Sequence, residues 1–397
     1  MEVQRRKFLK ATLASSITGL GNAACTIFTD PVDPVTREPL SNGAAGSSPL
    51  PAAPPSTQPP SRLPPQPIGP GGPVVAPVVA PIAPVAPAAP VAQVPPDPRL
   101  SPTIPFQVGT QLFAANRFQQ ALDALPAGGT LMILGGATYN VTGILRATNA
   151  TIKGVRGKAE FTGLNLLDFP AQGKALIVQT GAAATYEDLR FSAVAVSGKN
   201  GAGVRLEAHG RTVFRRCEFR DSQEGILTFN SAPQCHLYLE DCVGVNLGAG
   251  DGYSHGLYAG TIGSLTILRG SWTDTNVGHL IKSRAGRTRL EGVTLIEGRA
   301  SRAVDCPSGG VVEILDCTIE QDQRTSNENI IGYGLEVAKP LWAENSFTFR
   351  ANNRVTNARN EPSVFQFAAW ASAASISRVI EPYSYNGNNE GAPGVTG

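Results

Sequence analysis

Charged and aromatic side chains recur in neighbouring segments of the chain at a spacing that would stack them. Tyr258, His279, Lys282 and Asp305 lie in the segments HGLYAG, GHLIKSRA and SRAVDC. The offset from Ala259 to Lys282 equals the offset from Lys282 to Asp305. The side chains of Lys282 and Asp305 are therefore predicted to be lateral neighbours. Lysine, histidine and tyrosine can each act as a general base, and an aspartate can orient or neutralise one. These residues therefore predict acid–base chemistry on a stacked surface.

A second group of side chains in the same segments would bind the substrate. We predict that Arg284 and Arg302 neutralise a carboxylate, and that His255, Tyr333 and Glu336 contact the rest of the substrate. A proton alpha to a uronate carboxylate can be removed only when cations stabilise the charge that develops there. This set of bases and cations predicts a lyase or epimerase that acts on an acidic polysaccharide.

The role of Lys282 depends on its neighbour. Nearby cations would lower the pKa of Lys282 and make it a base, whereas contact with Asp305 would keep it charged. In that second arrangement Lys282 neutralises the substrate, and His279 or Tyr258 is the base. A purely structural ion pair between Lys282 and Asp305 is the third alternative. Hydrolysis requires paired carboxylates, which Asp305 with Glu336, or Asp251 with Asp274, could supply. It is less favoured because the tripled aspartates that mark known hydrolases of this kind do not appear.

Composition limits the cofactors and partners. The 33 Lys and Arg residues are balanced by 31 Asp and Glu, which argues against a nucleic-acid partner. The four His and six Cys residues show no metal-ligand spacing, so we assign no metal residues. The cofactor is unknown; calcium would suit an acidic substrate, but no ligand set for it is recognised. We expect a monomer whose partner is a polysaccharide.

Seven consecutive segments between Lys174 and Asn353 repeat one pattern of two β-rich runs separated by turns. Each segment is roughly 22 to 30 residues long, which is typical of a solenoid in which each unit buries its apolar side by stacking. We predict an all-β, single-stranded right-handed parallel β-helix. The alignment places Tyr258 beside Ile281 and Val304 in one column.

A column of small or hydrogen-bonding residues in the second run sets the register of the predicted coils. Its members are Cys217, Cys242, Gly270, Gly292, Cys317 and Asn345. Such a ladder suits a tight bend inside the stack, where each residue lies about 4.8 Å from the next. We therefore predict free, buried thiols rather than disulfides.

The coil pattern and ladder resemble the right-handed parallel β-helix superfamily that includes pectate lyases and related epimerases. The segment LIKSRA is also distantly similar to the strand that carries the base lysine of the alginate lyase and chondroitinase B family. That resemblance implies a catalytic role for Lys282. The acidic calcium-binding residues of the family are replaced here by Val277 and His279, and Asp305 stands where its arginine would fall.

The ends of the solenoid are predicted to be capped. Residues 111–125 place apolar side chains on one helical face, which predicts an N-terminal capping helix. The segment from Pro362 to Tyr385 is predicted to cover the other end. The β-helix domain with its caps is thus assigned to 107–385, and residues 386–397 are predicted to be a disordered tail.

The N-terminus predicts export. Residues 1–25 contain RRKFLK and a short apolar stretch, which resemble a twin-arginine signal peptide. Cys25 could carry a lipid, and this would be the chain's only membrane attachment. Residues 26–106, rich in Pro and Ala, are predicted to be a disordered spacer. The domain is therefore expected in the periplasm or outside the cell.

A second function from another class fits the same features. A β-helix on a proline-rich stalk could bind polysaccharide or serve as a surface scaffold without catalysis. Catalysis requires Lys282 and its neighbours on one face that substrate can reach. A scaffold tolerates the same side chains paired with each other.

Overall fold

The computed structural model describes residues 94–164, 170–359 and 364–386. The predicted signal peptide, Cys25 and the predicted tail beyond Asn386 lie outside the described residues, as does most of the predicted spacer. The described part of the chain is a parallel β-solenoid of about eight turns with one short α-helix on its N-terminal side. The predicted parallel β-helix with an N-terminal capping helix is confirmed.

The described strands are short, and most are three to six residues long. In chain order they are β1 (Phe106–Val108), β2 (Gln111–Phe113), β3 (Thr130–Leu134), β4 (Thr138–Tyr139), β5 (Gly143–Leu145), β6 (Ala150–Val155), β7 (Ala159–Thr162), β8 (Ala175–Gln179), β9 (Ala184–Glu187), β10 (Leu189–Ser192), β11 (Ala202–Leu206), β12 (Gly210–Arg215), β13 (Glu218–Arg220), β14 (Glu224–Thr228), β15 (Ser231–Val245), β16 (Leu257–Ala259), β17 (Thr261–Thr273), β18 (His279–Ser283), β19 (Arg287–Glu291), β20 (Thr294–Ile296), β21 (Arg302–Cys306), β22 (Val311–Leu315), β23 (Thr318–Gln321), β24 (Ile331–Tyr333), β25 (Ser346–Phe349), β26 (Arg354–Asn357), β27 (Phe365–Phe367), β28 (Ser377–Ile380) and β29 (Ser384–Tyr385).

Each full coil contributes one strand to each of three faces. The first face is a nine-stranded parallel sheet, β5-β8-β11-β14-β16-β18-β21-β24-β27. The second and third faces form one larger sheet, because the long strands β15 and β17 run through both of them. The candidate site residues lie on or beside the first face.

Apolar side chains from all three faces fill the interior. On the first face one inward column is at most 1% exposed along its whole length. Its members are Ile177, Val204, Ile226, Leu257, Ile281, Val304, Ile331 and Phe365. The next residue of each strand points outward, because side chains alternate along a strand. The chemistry of the first face is therefore determined by a single column of residues.

The bend between the second and third faces uses left-handed backbone. Six successive coils place there a residue with φ of 52° to 64°, namely Asp188, Arg216, Asp241, Arg269, Gly292 and Asp316. Glycine and aspartate tolerate this region, whereas arginine rarely adopts it. Each of the two arginines is held by the aspartate one coil earlier, at 2.7 Å in both cases.

The predicted ladder lies just after this bend and is partly wrong. Cys242 pairs with Gly270 as predicted, but strand register places Val293, not Gly292, in the following coil. Asn353, not Asn345, ends the column, and its side chain accepts the N–H of Cys317 at 2.8 Å. The long loop before β25, residues 334–345, displaced the sequence alignment. The five described cysteines are free and buried, as predicted.

The N-terminal end differs from the prediction in its bounds. The capping helix α1 spans only Phe118–Asp123, after a 3-10 turn, and Gln111–Phe113 instead pairs antiparallel with β1. Within the range assigned to the disordered spacer, Leu100 is buried and packs against Met132. At the other end β27, β28 and β29 pair with the preceding coil, so this segment stacks on the solenoid as a further coil.

Candidate functional site

The outward column of the first face carries the candidate site. Tyr258 pairs with Lys282, and Lys282 pairs with Asp305. The predicted lateral contact of the Lys282 and Asp305 positions is therefore confirmed. The predicted position of Tyr258 is wrong by one residue, because Leu257 and not Tyr258 lies beside Ile281 in the core. The correction turns Tyr258 to the outer side of the first face, next to Lys282, where it is 7% exposed.

Lys282 and Arg284 together hold a carboxylate. Lys282 Nζ lies 2.7 Å from Glu336 Oε1, and the guanidinium of Arg284 donates to Glu336 Oε2. Arg284 Nε also donates to the hydroxyl oxygen of Tyr258 at 3.0 Å. One guanidinium thus bridges a carboxylate and a phenol oxygen. We call these four residues (Tyr258, Lys282, Arg284 and Glu336) the carboxylate cluster.

The ion-pair partner of Lys282 is therefore Glu336. The predicted structural pair of Lys282 with Asp305 is wrong, because Glu336 reaches over from the 334–345 loop. Lys282 is only 9% exposed, and its ammonium forms an ion pair with the Glu336 carboxylate at 2.7 Å. This contact supports the carboxylate-neutralising role for Lys282 over the role of base.

Asp305 interacts with two other basic side chains. Its carboxylate lies 3.4 Å from His279 Nε2 and 3.6 Å from the guanidinium of Arg302. Burial alone would raise the pKa of Asp305, but His279, Lys282 and Arg302 outweigh it and hold the pKa well below its usual range. Asp305 is 1% exposed and stays ionised at neutral pH. It is placed to orient His279 rather than to act as an acid.

The two histidines stack behind this aspartate. The rings of His255 and His279 are 5.0 Å apart and nearly parallel, and His255 Nδ1 accepts the backbone N–H of His279 at 3.0 Å. His279 Nδ1 lies 2.7 Å from the hydroxyl of Ser301. Burial, reinforced by the charges of His279, Lys282 and Arg284, lowers the pKa of His255 well below its usual value, so this ring is neutral.

Tyr333 is not a substrate-binding residue. It is fully buried, and its hydroxyl donates to the carbonyl of Gly310 inside the core at 2.7 Å. The sequence analysis assigns Tyr333 to the surface because Tyr333 is the last residue of the strand that precedes Glu336. Strand alternation instead turns Tyr333 inward. The other eight predicted residues do come together on this face or beside it.

A buried acid beside the site was missed. Glu224 begins β14 and is 2% exposed. Burial raises the pKa of Glu224 well above its usual value, and Asp251 adds to this against the charge of Arg205. The signal that could have identified it is a carboxylate at the head of the otherwise apolar run EGILTF.

The described residues contain no group of three or more His, Cys, Asp or Glu side chains placed to hold a metal ion. That calcium could act as a cofactor stays a prediction. Within the same described ranges, the chain has no helix that is long and apolar enough to span a membrane.

Comparisons with known proteins add little to this site. No protein-family model matches the chain, and no curated protein matches it. A solved structure titled "Geobacillus virus E2 - ORF18" is similar over 68% of this chain and 55% of its own, with 11% identity and a TM-score of 0.39. The chain spans about half the length of that structure. The fold and the site define a parallel β-helix protein whose first face holds the carboxylate of its own Glu336 with Lys282 and Arg284.

Proposed function

We propose that this protein is an exported enzyme that acts on an acidic polysaccharide as a lyase or an epimerase. The observation that carries the proposal is the carboxylate of Glu336, which Lys282 and Arg284 hold beside the phenol oxygen of Tyr258. A uronate residue presents the same chemical group. In this proposal Glu336 stands in for the substrate carboxylate.

Glu336 is placed to yield to a substrate. It lies in the 334–345 loop, which contains no strand or helix and is exposed over most of its length. The Glu336 side chain itself is 30% exposed, whereas Lys282 beneath it is largely covered. Displacing one carboxylate by another keeps both cations paired, so the exchange avoids the cost of an unpaired buried charge.

The chemistry would begin with proton removal. Tyr258, as a phenolate stabilised by Arg284, takes the proton alpha to the bound carboxylate, and Lys282 with Arg284 stabilises the negative charge that forms on that carboxylate. In a lyase the electron pair then forms a carbon–carbon double bond while the neighbouring glycosidic C–O bond breaks, and the leaving oxygen takes up the proton that Tyr258 removed. In an epimerase a water molecule on the opposite side returns a proton to the same carbon, and Tyr258 gives up its proton to water.

The remaining predicted residues would orient the cluster. Asp305 fixes His279 and Arg302, and the packed histidines close the space behind Lys282. The guanidinium of Arg302 also donates to Gln366 on the last coil. We infer that these side chains support the site, and that Tyr258, Lys282 and Arg284 contact the substrate.

The exported location forms part of the proposal. RRKFLK and the apolar stretch after it resemble a twin-arginine signal, and the proline-rich segment would hold the domain away from a membrane or wall. Replacing Arg5 and Arg6 by lysine should retain the protein in the cytoplasm, as judged by cell fractionation. Unchanged export of that variant would refute this part.

The displacement step is tested by binding. Glu336→Ala should bind galacturonate, mannuronate or glucuronate oligosaccharides about tenfold more tightly than the native chain, because no internal carboxylate competes. Glu344→Ala is the matched control, since Glu344 is in the same loop but pairs with the exposed Arg287 at 2.6 Å. The measurement is isothermal titration calorimetry. Equal affinities for Glu336→Ala, Glu344→Ala and the native chain would contradict the stand-in role.

A non-catalytic scaffold is the alternative, and one observation favours it. Lys282, Asp305 and Arg302 are all largely buried, and each belongs to an ion pair. Such paired charges are expected of side chains that hold coils together. Under this alternative the native chain turns over no uronate polymer, and Lys282→Met would lower the free energy of unfolding. Turnover by the native chain that is lost in Lys282→Met with an unchanged unfolding midpoint would exclude it.

A further inference from the structure

A cavity is linked to the carboxylate cluster through a hydrogen bond to the main chain of Arg284. Its volume is about 310 Å³, and it lies between the 334–345 loop and the last coil. The residues that shape it are Trp342, Ala343, Asn345, Trp370 and Ile376. None of them carries a charge. The volume is at the lower end of the range for small-molecule sites, and the lining combines two indole rings with polar groups.

Both indole rings of this cavity are fixed by hydrogen bonds at their nitrogen. Trp342 Nε1 donates to the backbone carbonyl of Arg284 at 3.1 Å. Trp370 Nε1 donates to the carbonyl of Val337 at 2.9 Å. A buried indole N–H normally finds such a partner, and here the partners fix the orientation of each ring. The rings are therefore ordered before any ligand arrives.

Glycines beneath the rings bring each indole onto the backbone. A Cβ added to Gly286 would lie 3.1 Å from the ring of Trp342, and one added to Gly334 would lie 2.4 Å from the ring of Trp370. Any larger residue at Gly334 would push the ring of Trp370 away. Both indoles are only partly buried, so each still presents surface to the cavity.

We propose that this cavity binds a sugar ring, as a subsite separate from the carboxylate cluster. Flat, fixed aromatic surfaces match the apolar face of a pyranose, and an uncharged lining suits a neutral part of a chain better than a uronate carboxylate. Trp342 donates a hydrogen bond to the main chain of Arg284, whose side chain holds Glu336, so one hydrogen bond connects the cavity to the cluster. That this cavity contributes to a polysaccharide enzyme rests on the proposed function, whereas sugar binding by the cavity does not depend on it.

Tryptophan fluorescence reports directly on this cavity. The chain has three tryptophans, and the third, Trp272, is 1% exposed in the core. Titration of the full chain with cellohexaose and with a galacturonate hexasaccharide should give a saturable change in emission. Trp342→Ala should weaken the affinity at least about tenfold. Ala343→Phe fills the cavity without removing either indole and should weaken it similarly, whereas Trp272→Phe should leave it unchanged.

The outcomes separate this inference from the proposed function. Binding that Ala343→Phe and Trp342→Ala abolish, in a chain that releases no unsaturated uronate, supports the sugar site while the enzymatic proposal fails. Turnover of a uronate polymer that both variants leave intact, with no saturable fluorescence change for either hexasaccharide, overturns the sugar site and leaves the enzyme. Equal affinity in Ala343→Phe and the native chain also overturns it.

Discussion

Glu297 is placed to make the stability of the solenoid depend on pH. Its carboxyl is fully buried, and Oε1 accepts the backbone N–H of Ala303 at 2.7 Å, at the start of the strand that carries Asp305. Burial raises the pKa of Glu297 from 4.5 to about 8. Glu297→Gln keeps the shape and the acceptor oxygen but cannot ionise. We expect this variant to lose the pH dependence that the native residue contributes.

The direction of the effect follows from proton binding. Because the pKa of Glu297 is higher in the folded chain, the folded state binds more protons than the unfolded state between the two values. Stability that is present at low pH is therefore lost as the pH rises from about 4.5 toward about 8. Each pH unit in this window removes about 1.4 kcal/mol, so about 3 kcal/mol is lost between about pH 5 and pH 7.5.

The assay is urea unfolding of the native chain and of Glu297→Gln at a series of pH values. The difference between the two free energies of unfolding isolates Glu297 from every other titrating group. That difference should grow in favour of the variant as the pH rises. A native chain and a variant with parallel pH profiles would show that Glu297 ionises without cost, and would refute the argument from burial.

Two further predictions concern the interior. Asn353→Ala should lower the free energy of unfolding by about 3 kcal/mol, because one buried amide serves three backbone groups, while the exposed Asn352→Ala should change it little; urea unfolding measures both. Tyr333→Phe should cost about 1 kcal/mol through the lost hydrogen bond to Gly310 and leave any polysaccharide turnover unchanged. A large loss of turnover in a folded Tyr333→Phe variant would return Tyr333 to the site.

The sequence predicts the solenoid well, because the repeated pattern itself indicates how successive coils align. Equal offsets between coils bring Lys282 beside Asp305, and the structure has that register. The alignment fails where a loop changes length, as with Asn353, or where two apolar residues adjoin, as with Leu257 and Tyr258. In the second case a slip of one residue exchanges the inner and outer faces.

Side-chain partners are less predictable than register. Glu336 is more than fifty residues from Lys282, and only the path of the 334–345 loop brings the two together. The sequence does not single out Glu224, because its strand has the apolar pattern of a core strand. Burial, which the sequence does not reveal, raises the pKa of Glu224. Repeat spacing specifies which coils adjoin, whereas irregular loops decide which charges meet.

Release of unsaturated uronates tests the central claim most directly. The purified chain would be incubated at neutral pH with alginate, pectate and chondroitin while the ultraviolet absorbance of a double bond conjugated to a carboxylate is followed. We predict a steady rise with one polymer, lowered by about a hundredfold or more in Tyr258→Phe and Arg284→Met. An epimerase would give no rise but would exchange the alpha proton for deuterium in D₂O. Neither a rise nor exchange with any of these polymers, or full activity in Tyr258→Phe, would contradict the account.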